Sequence, residues 1–102
     1  MVRVMDLEEL EQDALKRNIP VMQKEGILFL ISQLQDMKAT SCLEIGSAIG
    51  YSAMMMVTHV EGLQVETIEL NDERYQEAVK NITERNLQDK ITIHHDLSLI
   101  HI

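Results

Sequence analysis

The sequence predicts an α/β fold built on a parallel sheet, of which this chain carries the N-terminal half. Three observations lead there. Short β-prone runs alternate with segments of helical length, which is the pattern of βαβ units. The first of those runs ends in a glycine turn that opens directly into a helix. The chain stops soon after the third run, where a doubly wound sheet would continue.

Each element has its own signal. From Asp6, the residues Leu7, Leu10 and Ala14 recur on one side of a polar segment, a helix with a narrow apolar stripe that should end near Asn18, ahead of Pro20. After the connector Asn18-Ile19-Pro20-Val21-Met22, the spacing of Ile27, Leu30, Ile31 and Leu34 predicts a second helix from about Gln23 to Asp36, with Phe29 widening its apolar face. Ser41 to Ile45 is a first strand that runs into Gly46, and Tyr51 to Val60 is a methionine-rich helix. Glu61-Gly62 marks a turn, and Leu63 to Leu70 is a second strand. Asn71 or Asp72 can cap a helix that carries Tyr75, Ala78, Val79 and Ile82 on one side and fades at Asn86. Lys90 to His94 is a third strand, with Ile91 and Ile93 alternating against Thr92.

Composition narrows the function. A chain of 102 residues is one domain or part of one. Apolar residues make up 45%, but one Phe, two Tyr and seven Met describe a mainly aliphatic core. Acidic residues outnumber basic ones 17 to 9 and no Lys/Arg cluster interrupts them, so this segment lacks the electrostatic footprint of a nucleic-acid-binding face. Cys42 is the single cysteine, which rules out an internal disulfide or a CxxC metal site and points to a buried, inert thiol. With no signal-peptide h-region and no apolar run of spanning length, no membrane association is expected and the location should be cytoplasmic.

The chemistry concentrates in Glu44-Ile45-Gly46-Ser47-Ala48-Ile49-Gly50-Tyr51-Ser52, an E-x-G-x-x-x-G turn between strand and helix. Ligands of an open parallel sheet lie beyond the carboxyl ends of its strands, and Gly46 and Gly50 stand where a Cβ would obstruct them. The G-x-G-x-x-G spacing that serves a dinucleotide pyrophosphate is absent. A cofactor without phosphate, such as S-adenosylmethionine, presents an ammonium, a sulfonium and a carboxylate, and Glu44 suits the ammonium. Glu69 ends the second strand, where a carboxylate can accept both hydroxyl hydrogens of a ribose. Taken singly, Glu69 reads more readily as a solvated strand-end carboxylate, and Ser52 equally as a first-turn residue bonding its own backbone.

The run Leu43 to Ser52, with its Gly-Tyr-Ser ending, resembles motif I of the catechol-type, cation-dependent O-methyltransferases, a family with the Rossmann-like class I methyltransferase fold. The segment Ile19-Pro20-Val21-Met22-Gln23-Lys24-Glu25-Gly26 resembles the family's cofactor-lid element, in a form similar to the bacterial branch that methylates 5-hydroxyuridine in tRNA. The likeness runs from about Leu7 to Ile93 and implies S-adenosyl-L-methionine as cofactor. It implies that Met22 backs the cofactor from the lid, that Glu44, Gly46 and Ser52 surround its methionine portion, and that Glu69 holds its ribose.

The same resemblance says what this chain lacks. The family's divalent cation, Mg, is bound by an aspartate of the fourth strand and a later Asp-Asn pair, so it is expected only in the full-length protein; no metal ligand and no catalytic residue is assigned here. Residues 1–96 are expected to be the N-terminal part of the O-methyltransferase domain, inactive by itself, and 97–102 a tail foreign to the family. Asp96 falls early against the family's Gly-Asp-Ala turn and receives no role. His94 and His95 should face opposite ways rather than form a metal pair. The first strand, which in the family pairs with the fourth, should have a bare edge, giving marginal stability and association. The complete protein is expected to be a homodimer that methylates tRNA 5-hydroxyuridine. The alternatives are a small hydroxylated, catechol-like acceptor and a non-catalytic module that binds a nucleoside cofactor.

Overall fold

α1 (Leu7–Lys16) begins on a reciprocal cap in the computed structural model, which describes residues 3–96. The Asp6 carboxylate accepts the Glu9 N–H at 2.8 Å and the Glu9 carboxylate accepts the Asp6 N–H at 3.2 Å, satisfying two amides that a helix start leaves open. Leu10 and Ala14 form the buried stripe that their spacing predicts. α2 (Lys24–Asp36) buries Ile27, Ile31 and Leu34, but Phe29 is 66% exposed. Two positions past Ile27 is more than half a helical turn away, so Phe29 faces solvent rather than widening the apolar face.

β1 (Ser41–Ile45), β2 (Gln64–Ile68) and β3 (Ile91–His94) form a parallel sheet in the order β1-β2-β3. α3 (Tyr51–His59) links the first two strands and α4 (Asp72–Glu84) the last two. The α/β half-sheet expected from the sequence is therefore the observed fold. β2 is shorter than its expected span, which puts Glu69 just beyond the strand, although its N–H still donates to the His94 carbonyl at 2.9 Å.

Two right-handed crossovers running in one direction place their helices on one side of a sheet. Cys42, Val65, Ile91 and Ile93 accordingly pack with α3 residues and with Ile82 of α4 in one core. α1 and α2 both pack on α3. Every residue from Tyr51 to Val57 is thus buried, which is why α3 is apolar on all sides. The opposite sheet face is largely open among the described residues, with Leu43, Ile45, Glu66 and Thr92 exposed. Among the described residues β1 is also an edge strand, so its outer backbone edge and these apolar side chains lie together.

Cys42 is half-buried rather than fully buried, because the edge position of β1 leaves it covered on one side only. Burial still pushes its thiol up from the ordinary range, with the Glu44 carboxylate adding to the effect. No helix among the described residues is long and apolar enough to cross a membrane. The expected tail at 97–102 lies outside the described residues.

Candidate functional site

The turn between β1 and α3 requires unusual backbone. Gly46, Ala48 and Gly50 all have positive φ, at 84°, 51° and 85°. Such a turn keeps its shape only if its surroundings hold it. The Gly46 and Ser47 N–H groups donate to the Ile68 carbonyl at 2.8 and 3.0 Å. The Ala48 N–H donates to Glu69 Oε1 at 2.6 Å, and buried Asn81 Nδ2 donates to the Ile49 carbonyl at 3.0 Å. β2, Glu69 and α4 thus grip consecutive parts of one loop.

The two glycines have different surroundings. A Cβ on Gly50 would make ordinary contact with the Ala78 and Ile82 side chains at 3.5 Å, so its positive φ, not lack of space, is what favours glycine there. A Cβ on Gly46 would meet nothing within 4 Å. The space in front of Gly46 is open for something else to approach the backbone.

Glu44, near the carboxyl end of β1, sends its carboxylate between two hydroxyls. Thr67 Oγ1 donates to Oε1 at 2.7 Å, and Ser52 Oγ from the first turn of α3 donates to Oε2. Burial pushes the Glu44 carboxyl up from its ordinary range, and the two hydroxyl donors oppose that shift. A carboxylate has about four acceptor positions, so room remains for a further donor. An arriving cation would favour the charged form.

Pro20, Val21 and Met22 of the connector face Glu44, Ile45, Gly46, Ser47, Ala48 and Ser52 across a cleft of about 330 Å³. Of the residues singled out in the sequence, Met22, Glu44, Gly46 and Ser52 therefore come together. Ser52 hydrogen-bonds Glu44 rather than its own backbone. Met22 is 43% exposed, so it is a wall of the cleft and no core residue. Glu69 stands behind Ala48 instead of lining the cleft, with Oε1 on the Ala48 N–H and Oε2 accepting the Asn71 N–H at 3.0 Å. It is buried, not solvated.

The imidazoles have separate surroundings. His94 Nε2 lies 3.1 Å from Glu66 Oε1, whereas the His95 ring stacks on Tyr75 of α4 with centroids 4.7 Å apart. No group of three or more His, Cys, Asp or Glu side chains able to hold a metal occurs among the described residues. Tyr51 is buried against Glu11, and burial together with that carboxylate pushes its hydroxyl up to about 12. Sequence reasoning missed Thr67 and Asn81. The alternation that puts Thr67 on the Glu69 side of its strand was legible; the register that sets it beside Glu44 was not.

Comparison with known proteins identifies the family. The sequence model of the O-methyltransferase family matches residues 3–101. The chain belongs to the O-methyltransferase family. Among solved structures, a Staphylococcus aureus protein assigned as a caffeoyl-CoA O-methyltransferase superposes with a TM-score of 0.83 at 26% identity, covering 88% of this chain and 43% of its own. The O-methyltransferase of Bacillus cereus, solved in complex with SAH, matches at 30% identity and a TM-score of 0.76 over 91% of this chain and 44% of its own. An O-methyltransferase of tomaymycin synthesis from Streptomyces achromogenes, solved with SAM, shares the fold at 19% identity and a TM-score of 0.72, over 91% of this chain and 44% of its own. This O-methyltransferase chain thus spans less than half the length of these structures.

Proposed function

We propose that this chain is the S-adenosyl-L-methionine-binding portion of an O-methyltransferase, with the cofactor's methionine end in the cleft at Glu44. The observation that carries the reading is the Glu44 carboxylate, held by two hydroxyls at the wall of a cleft whose floor is a glycine with open space before it. Three features fit the cofactor. A half-buried carboxylate with free acceptor positions suits an ammonium. The space at Gly46 admits a ligand against the backbone. The phosphate-cradling spacing of a dinucleotide site is missing. The SAH complex of the Bacillus cereus relative supports the same choice.

When bound, this cofactor supplies a methyl group on a sulfonium for transfer to an oxygen nucleophile. Glu44 fixes the amino-acid end through the ammonium, and Ser52 keeps that carboxylate in place. Met22, with Pro20 and Val21, covers the cleft from the lid side and limits water there. Glu69 shapes the loop that the cofactor lies on, and an oxygen lone pair left on each side of its carboxylate can still receive ribose hydroxyls. On this reading Mg and the acceptor pocket belong to the complete protein, and this chain by itself is expected to be inactive.

For the complete protein we take tRNA 5-hydroxyuridine as acceptor, in a cytoplasmic homodimer, with a catechol-like small molecule second. The acidic balance of this half, −8 at pH 7, requires that contacts to RNA come from elsewhere. Calorimetry of this chain with S-adenosylhomocysteine and with NAD tests the cofactor: the expected result is binding of the first alone, and binding of NAD alone overturns the reading. Methylation by the complete protein of hypomodified tRNA against catechol tests the acceptor; turnover of catechol alone rejects tRNA.

A further inference from the structure

Thr67 does not line the cleft, has no exposed surface, and lies on β2 between both other strands. An apolar β-branched residue would pack equally well there, yet a hydroxyl is present and its hydrogen goes to one place, Glu44 Oε1 at 2.7 Å. In the parallel register Thr67 is the direct partner of Glu44, so the two side chains lie side by side on one sheet face.

We propose that Thr67 is a positioning residue for the cofactor's amino-acid end: it fixes one oxygen of Glu44 so that the carboxylate meets the ligand ammonium without reorganising. This rests on the cofactor reading above. The geometry behind it is a two-point grip. Glu44 sits on an edge strand, where the side chain has freedom that a central strand would remove. Ser52 alone, from α3, leaves the carboxylate able to rotate about that single bond. Thr67 supplies the second donor from a different element, and two donors on two oxygens define the plane of the carboxylate. Binding a cation to a fixed carboxylate avoids the ordering cost that a mobile one incurs.

The test compares two ligands that differ in the amino-acid end. S-adenosylhomocysteine carries the ammonium and carboxylate, whereas 5′-methylthioadenosine keeps the nucleoside and thioether without them. Calorimetry on this chain should show Thr67→Val losing roughly tenfold or more in affinity for S-adenosylhomocysteine, as expected for a lost hydrogen bond to a charged group. Affinity for 5′-methylthioadenosine should be unchanged, and Thr67→Ser, which keeps the hydroxyl, should restore S-adenosylhomocysteine binding. Thermal unfolding of each variant checks that the fold survives. A variant that merely loosens the sheet lowers both affinities together, and that result overturns the proposal, as does a Thr67→Val chain that binds both ligands like the parent. If the parent chain binds neither ligand, the cofactor reading itself falls.

Discussion

Glu44 and Glu69 stand at the carboxyl ends of neighbouring strands, flank the same glycine turn, and are bonded by different kinds of donor. Glu44 receives two side-chain hydroxyls, whereas Glu69 receives two backbone amides. The hydroxyls tie Glu44 to side chains of α3 and β2 and leave it acceptor positions to spare, whereas the backbone amides tie Glu69 to the turn itself. The difference separates a carboxylate that is held ready at the cleft wall from one that holds the cleft floor.

The largest expected effect follows from the Glu69 side of this comparison. Glu69→Ala leaves the Ala48 and Asn71 N–H groups without their acceptor, and Ala48 is buried in a left-handed conformation that needs support. Losing hydrogen bonds to a charged group with a buried donor should cost about 3 kcal/mol in urea unfolding. Glu69→Gln keeps one carbonyl acceptor and should cost less. A loss under about 1 kcal/mol for Glu69→Ala would show that the loop does not depend on this carboxylate.

Glu44→Gln should do the opposite, and its signature is pH. Burial raises the folded-state pKa of Glu44 above its unfolded value, so folding favours the protonated acid. Its contribution to stability is fully present below the unfolded pKa and is lost as pH rises through the raised folded pKa. Glutamine does not titrate, and its amide can exchange hydrogen bonds with Ser52 and Thr67 once one hydroxyl reverses its role. Denaturation of both chains from acid to neutral pH should show Glu44→Gln gaining on the parent as pH rises, while its affinity for S-adenosylhomocysteine falls. A flat difference across that range contradicts a burial-raised Glu44.

The helices, strands and parallel arrangement were legible because each carries a local period or a turn residue. The stripe of Leu10 and Ala14 and the strand Ser41–Ile45 needed only near neighbours in sequence. The candidate site was legible in part, since Glu44, Gly46 and Ser52 lie on one strand-turn-helix unit. What the sequence withheld depends on register and on side-chain donors far along the chain. Glu69 is placed by its strand end, but its bond to Ala48 spans two elements; the link from Thr67 to Glu44 depends on how β1 and β2 align. Phe29 misled for a local reason, because an apolar residue two positions from a buried one on a helix lies on the far side.

The smallest effect gives the sharpest control on the loop. Ser47 sits next to Ala48 in the same turn and is buried, yet its Oγ has no hydrogen-bond partner among the described residues. A buried hydroxyl without a partner is unfavourable compared with a methyl group in the same space. Ser47 does not share the positive φ of its neighbours Gly46 and Ala48, so alanine fits its backbone without strain. Ser47→Ala should therefore be neutral or stabilise by up to about 1 kcal/mol in urea unfolding. If it instead destabilises as much as Glu69→Ala, the turn is held by the Ser47 hydroxyl and not by the carboxylate behind it, and the division of labour between Glu44 and Glu69 fails. If it is neutral while Glu69→Ala is costly, polarity in the loop is not what matters; the acceptor placed on the Ala48 amide is.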